Sequence, residues 1–156
     1  MPQMKEHLDA LSSLVLPKVI VFDLDYTLWP QFVCQSHGPP FKLSSTKRHV
    51  SDLKGCAIRF YDDVPSLLLW LSETNPEVTL AIASKSQQPQ WAKTVLRMLP
   101  LQLHPNPETT VQQIVDEPLT QILPFLSKRV HLEKIHSCTE VPFSEMLFFD
   151  DEKVRL

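Results

Sequence analysis

Apolar residues in this chain fall into two kinds of run. Short unbroken runs follow Lys18 to Phe22, Val78 to Ala83 and Met146 to Phe149. Such runs suit strands covered on both faces, as in a parallel sheet. Elsewhere the apolar positions recur at helical spacing. Met4, Leu8, Leu11 and Val15 predict a short amphipathic N-terminal helix, stopped by Pro17. Leu67, Leu68, Trp70 and Leu71 predict a helix from Val64 to Glu73, capped by Asp62-Asp63 and ended by Asn75-Pro76. Trp91, Val95 and Met98 predict a helix from Trp91 to Leu99, begun near Pro89. Val130 and Ile135 predict a helix from Lys128 to His136, capped by Ser127.

Between these elements the pattern weakens. Residues 30–55 are polar and irregular, and predict a surface loop or small flap over a site. Residues 43–55 read equally well as a disordered insert. Residues 101–118 carry several prolines and predict loop with one helical turn from Thr109 to Val115. Leu119 to Leu123 predicts a third strand, kept short by Pro124, and Pro142 opens the last. Strand and helix alternate, which predicts an α/β fold of three layers around a mainly parallel sheet. Residues 1–16 are expected to form an extension and residues 17–156 the domain.

Composition narrows the class of function. The formal charge is −3, which argues against nonspecific nucleic-acid binding because a phosphate backbone needs a basic face. The 3 cysteines are scattered and form no C-x-x-C pair, as expected for reduced thiols in the cytoplasm. No apolar stretch reaches membrane-spanning length, and the N-terminus lacks the apolar core of a secretory signal. With only 2 glycines and 14 prolines, turns must rely on Pro, Asn, Asp and Ser.

The chemistry sits where strands end. In a sheet of this type, sites form beyond the carboxyl ends of the strands. Asp23 and Asp25 follow one strand, Ser84 ends another, and Asp150 and Asp151 follow a third. Acids spaced i and i+2 on an extended chain point the same way. Two carboxylates that close need a cation, a shared proton or separate jobs. A metal-assisted site follows, in which one Asp attacks and the other carries a proton. His131 and His136 are five apart on the predicted helix and do not share a face, which argues against a metal role for them.

Four stretches carry a family likeness. They are Val21-Phe22-Asp23-Leu24-Asp25-Tyr26-Thr27-Leu28-Trp29-Pro30, Ala81-Ile82-Ala83-Ser84-Lys85-Ser86, Ser127-Lys128, and Val141 through Phe149-Asp150-Asp151-Glu152. In this the chain resembles the haloacid dehalogenase-like superfamily and, within it, the magnesium-dependent phosphatase-1 family. The resemblance implies a three-layer Rossmann-like fold with minimal or no cap. It implies Asp23 as nucleophile, forming an aspartyl-phosphate, and Asp25 as general acid and base. It implies Mg²⁺ held by Asp23 and Asp151, by the backbone carbonyl of Asp25, and with Asp150 orienting the shell. Ser84, Lys85, Lys128, the backbone N–H of Leu24 and Phe32 would meet the substrate, and Thr27 would support the loop. An acid at Asp25 favours phosphoester hydrolysis over dehalogenation, because halide leaves without a proton.

The implied substrates are phosphotyrosine-like aryl phosphates or small sugar phosphates, including glycated-amine (fructosamine-6-phosphate-like) phosphates. A monomer is expected, with no nucleic acid or membrane as partner. The chain departs from the family in three ways. The segment between Ser84 and Lys128 is longer. Lys85 stands where relatives carry Arg, which gives up a bidentate grip on an anion. The sequence stops soon after Asp151, so a closing helix and strand are expected to be missing. The alternative implied is a non-catalytic or unstable shortened isoform, retaining phosphate binding at most.

Overall fold

The centre of the fold is the strand whose sequence is most uniformly apolar. In the computed structural model, residues 15–101 and 109–152 are described. Their strands are β1 (Val19–Phe22), β2 (Lys42–Leu43), β3 (Val50–Ser51), β4 (Ala57–Ile58), β5 (Thr79–Ser84), β6 (Thr120–Ile122) and β7 (Met146–Phe149). Their α-helices are α1 (Val64–Thr74), α2 (Pro89–Met98), α3 (Val111–Ile114) and α4 (Lys128–Thr139). The helix expected over residues 1–16 falls almost wholly outside the described residues, as do 102–108 of the proline-rich stretch.

Strands β6, β5, β1 and β7 form one parallel sheet in that order. All four residues of β1 are buried, and so are Leu80 to Ser84 of β5. Burying each aliphatic side chain contributes about 1.5–3 kcal/mol, so unbroken apolar runs belong in these central positions. The register sets Phe22 beside Ile82 and Phe149. One residue further on, Asp23 comes level with Ala83 and Asp150, and its N–H donates to Phe149 O at 2.9 Å. Chain direction and register thus gather the three strand ends at one edge. On the outer side of β7 no strand pairs among the described residues, and Leu147 and Phe149 are part-exposed.

Several expectations need correction. Residues 43–55 are not an unstructured insert. They belong to a three-stranded antiparallel sheet in the order β2-β3-β4, which buries Val50 and Ile58. This flap reaches α2, where Phe41 meets Trp91 edge-on at 6.1 Å and Gly38 backs onto the same ring. Helices α1 and α4 start where predicted, but neither Asp63 nor Ser127 makes a side-chain cap hydrogen bond. The helical turn at Val111–Ile114 is capped, by a reciprocal Thr110–Gln113 box. The third strand is shorter than expected, because Glu117–Leu119 forms a 3₁₀ turn before it. Another 3₁₀ turn, Phe143–Glu145, separates Pro142 from β7.

Candidate active site

Asp23 follows the last residue of β1 and is buried, as are Ser84 and Lys128. Lys128 opens α4 and points its ammonium across the strand ends. Its Nζ lies 2.6 Å from Asp23 Oδ1 and 3.2 Å from Asp150 Oδ2, and donates to Ala83 O at 2.7 Å. The same ammonium lies 5.2 Å from the centre of the Phe148 ring, within cation–π range. Asp23, Asp150 and Asp151 each place a carboxylate oxygen so that all three lie within 4.8 Å of one another.

Two of the three carboxylates, Asp23 and Asp150, pair with the one Lys128 ammonium where little water reaches them, while Asp151 stands at the exposed side of the cluster. Burial pushes the Asp23 carboxyl up to about 6, against the opposing pull of Lys128. Burial, then the neighbouring Asp150, raises Asp151. Asp23 Oδ1 and Asp150 Oδ2 are buried and accept no hydrogen bond, leaving Lys128 as their ion-pair partner. Crowded hard oxygens short of positive charge are the donor set that a Mg²⁺ ion suits.

Asp25 is placed differently. Its Oδ1 accepts from the indole Nε1 of Trp29 at 2.7 Å and from Val33 N at 3.0 Å. Its side chain does not join the three-carboxylate cluster, and burial raises its pKa above the ordinary value. Two nearby acids therefore have unlike surroundings, one against a cation and one in neutral hydrogen bonds. The turn between Asp25 and Trp29 forces Tyr26 into the left-handed region at φ 57°. Leu24 O holds that turn by accepting from the N–H groups of Thr27 and Leu28. The Thr27 hydroxyl, expected to support the loop, is buried without a hydrogen-bond partner, so the support comes from backbone.

These groups line a cleft of about 200 Å³. Phe32, Ser84 and Lys85 line it too, as the sequence predicts. Ser84 Oγ accepts from Ser86 N at 3.2 Å, and Phe32 packs edge-on against Tyr26 at 4.9 Å. Lys85 is half-exposed and lies 3.4 Å from Glu152. A larger groove of about 720 Å³ lies beside α4 and β7, lined by Leu132, Phe143, Met146 and Phe148. Neither Asp23 nor Asp25 lines it, so volume alone does not single out the cleft that holds the clustered acids.

Sequence inspection missed Cys34, Ser86, Gln87 and Glu152, which also line the smaller cleft. It rejected His131 as a metal ligand but did not read its place beside the site. That ring is fully buried, with Nδ1 2.9 Å from Ser127 O and Nε2 2.8 Å from Ser84 O. It ties the start of α4 to the end of β5, and so fixes Lys128 relative to Ser84. The readable signal was its place three residues after Lys128, on the first turn of the helix. Trp29, four residues after Asp25, was likewise legible as a donor within reach.

Comparison with known proteins agrees with this geometry. An acid phosphatase family profile matches residues 15–155. The chain is 38% identical over 138 residues to magnesium-dependent phosphatase 1 of Homo sapiens, covering 88% of this chain and 69% of that protein. It is 34% identical over 143 residues to a HAD-like hydrolase superfamily protein of Schizosaccharomyces pombe, covering 91% of this chain and 80% of that one. A crystal structure of the N-terminal part of a Bacteroides fragilis protein, containing a phosphatase domain complexed with Mg, shares the fold. Its TM-score is 0.56 at 18% identity, over 96% of this chain and 34% of that one. No helix among the described residues is long and apolar enough to cross a membrane. From strand order, clustered acids and matched relatives together, the chain belongs to the acid phosphatase family of haloacid dehalogenase-like hydrolases, alongside magnesium-dependent phosphatase 1.

Proposed function

We propose that this protein is a magnesium-dependent phosphomonoester phosphatase that works through a phosphorylated Asp23. The observation that carries the proposal is the convergence of Asp23, Asp150 and Asp151 within 4.8 Å, with Lys128 2.6 Å from Asp23 and Asp25 held apart. Asp23, Asp150 and Asp151 would hold Mg²⁺, with the backbone carbonyl of Asp25 as a further oxygen ligand. Bound there, the ion supplies charge neutralisation between an anionic phosphate and an attacking carboxylate.

The residues divide the remaining work. A carboxylate oxygen of Asp23 attacks phosphorus, and the bond from phosphorus to the ester oxygen breaks. Asp25 gives its proton to that leaving oxygen, and its raised pKa suits the task. Asp25 then takes a proton from water. That water attacks the phosphoryl group, releases inorganic phosphate and restores Asp23. Lys128 and Ser84 hold phosphoryl oxygens, and Lys128 offsets the charge that grows at phosphorus. The backbone N–H of Leu24 offers a further donor.

The open cleft, lined by Phe32 with Tyr26 packed against that ring, suits aryl phosphates such as phosphotyrosine, and small sugar phosphates suit the same space. Hydrolysis of para-nitrophenyl phosphate tests the reading. We expect turnover that requires Mg²⁺, stops with EDTA and is lost in Asp23→Asn. Full activity in Asp23→Asn would remove the nucleophile assignment.

A further inference from the structure

A second group of ligating side chains sits on the flap, and none of its members lines the reactive cleft. His37 Nδ1, an Asp52 carboxylate oxygen and Cys56 Sγ all lie within 4.8 Å of one another. The Asp52 side chain is fully enclosed. Its Oδ1 accepts from Lys54 N and Cys56 N, both at 2.9 Å. Its Oδ2 accepts from His37 N at 2.8 Å and faces His37 Nδ1 at 3.0 Å. The backbone N–H of His37, then those of Cys56 and Lys54, lower the Asp52 carboxyl to about 2. A carboxylate oxygen has two lone pairs. Three of the four on Asp52 are taken by backbone N–H groups, and the fourth points at the imidazole.

Cys56 Sγ lies 3.7 Å from that same ring nitrogen. In a tetrahedral zinc site, bonds of about 2.0–2.1 Å to nitrogen and oxygen and about 2.3 Å to thiolate give ligand–ligand edges near 3.3 Å for N···O and 3.6 Å for N···S. The separations of 3.0 Å and 3.7 Å are close to those edges. We propose that His37, Asp52 and Cys56 bind a thiophilic divalent cation, zinc above all, with solvent completing the shell.

The mixed nitrogen, oxygen and sulfur donors select zinc over magnesium, which prefers oxygen alone. The proton account closes simply. Cys56 releases its thiol proton to solvent, and the His37 ring hydrogen moves to Nε2 so that Nδ1 can bind. The ion then takes the fourth lone pair of Asp52 in place of the ring N–H. It joins His37 to the β3–β4 turn, nineteen residues away from it at Cys56. Leu53 N already donates to Gly38 O at 2.9 Å along the same seam. Zinc would therefore staple the flap whose root, at Val33, grips Asp25.

Cobalt titration of the full chain in excess Mg²⁺ tests this, because a thiolate–cobalt charge-transfer band cannot arise from carboxylates. We expect the band to saturate at one equivalent, to vanish in Cys56→Ser, and to persist in Cys34→Ser and Cys138→Ser. His37 and Cys56 are exposed, so their variants should keep the far-ultraviolet circular dichroism of the parent. As a second measurement, Zn²⁺ should protect Cys56 from iodoacetamide, read by peptide mass, and His37→Ala should abolish that protection. No band in the parent chain, a band undiminished in Cys56→Ser, or equal alkylation of Cys56 with and without zinc would overturn the proposal. None of these readouts depends on phosphatase activity.

Discussion

Replacing Lys128 by Met tests whether one ammonium holds the carboxylate cluster together. Lys128 is 4% exposed, and Met keeps most of its stem. The substitution removes contacts of 2.6 Å to Asp23, 3.2 Å to Asp150 and 2.7 Å to Ala83 O. Asp23 Oδ1 and Asp150 Oδ2 then have no partner. Breaking a buried ion pair from one side costs about 3–5 kcal/mol. Part of that cost is avoidable. Asp23 already titrates at about 6 with Lys128 beside it, and its value rises when the cation goes. At neutral pH the variant escapes by binding a proton, so the loss should sit near the lower end, about 3 kcal/mol. In a domain of this size that lowers Tm by roughly 6–12 °C.

The pH dependence has a definite sign. The native state of the variant binds a proton that the unfolded state, with an ordinary carboxyl, has already released. Its stability therefore falls as pH rises through and above 6, more steeply than in the parent. Urea unfolding in EDTA at pH 6 and pH 8 measures both effects. Mg²⁺ should then restore more stability to Lys128→Met than it adds to the parent, since it supplies the missing positive charge. Equal stability of the two proteins at pH 8 in EDTA would refute the reasoning.

Other substitutions probe separate parts of the site. Asp25→Asn should slow esters with poor leaving groups far more than para-nitrophenyl phosphate, and an equal loss for both would count against a proton-donor role. Trp29→Phe removes the indole donor from Asp25 Oδ1 and should lower stability by about 2 kcal/mol in urea unfolding. An unchanged midpoint would show that the indole bond adds little. Gly38→Ala places a Cβ 2.8 Å from Trp91 Cζ2 at a φ of +74°. Backbone strain alone costs about 1–2 kcal/mol there, and the Trp91 ring must shift. Tryptophan emission and thermal unfolding should both change, and a parent-like emission and Tm would refute the packing argument.

What could be read from the chain depended on how far each feature is local. Strands β1 and β5 were legible because a strand buried on both faces is apolar along its length, and β7 because its four residues are apolar although Leu147 and Phe149 are part-exposed; Asp or Ser ends or follows each. Lys128 was legible through the family likeness of Ser127-Lys128 at the start of a periodic helix. Residues 30–55 read as a loop or small flap, but the strands inside it were not legible, because strands of two residues carry no periodicity to detect. Ser127 takes the N-cap position as expected, but its hydroxyl makes no cap bond. His131 was weighed only as a metal ligand, and its structural place was not read because it faces two backbone oxygens 43 residues apart in sequence, which no side-chain motif announces.

Strands β1, β5, β6 and β7 all run one way, so the molecule has a reactive rim and a quiet base. The base is closed by contacts such as Lys18 to Glu145 at 2.6 Å, remote in register from every acid discussed above. Changes there act on stability alone, while changes at the rim alter chemistry and leave the sheet intact. The flap leaves the rim between β1 and α1 and returns to it. Exchanging that one segment would remake the entrance to the cleft while the carboxylate seat beneath it stays in place.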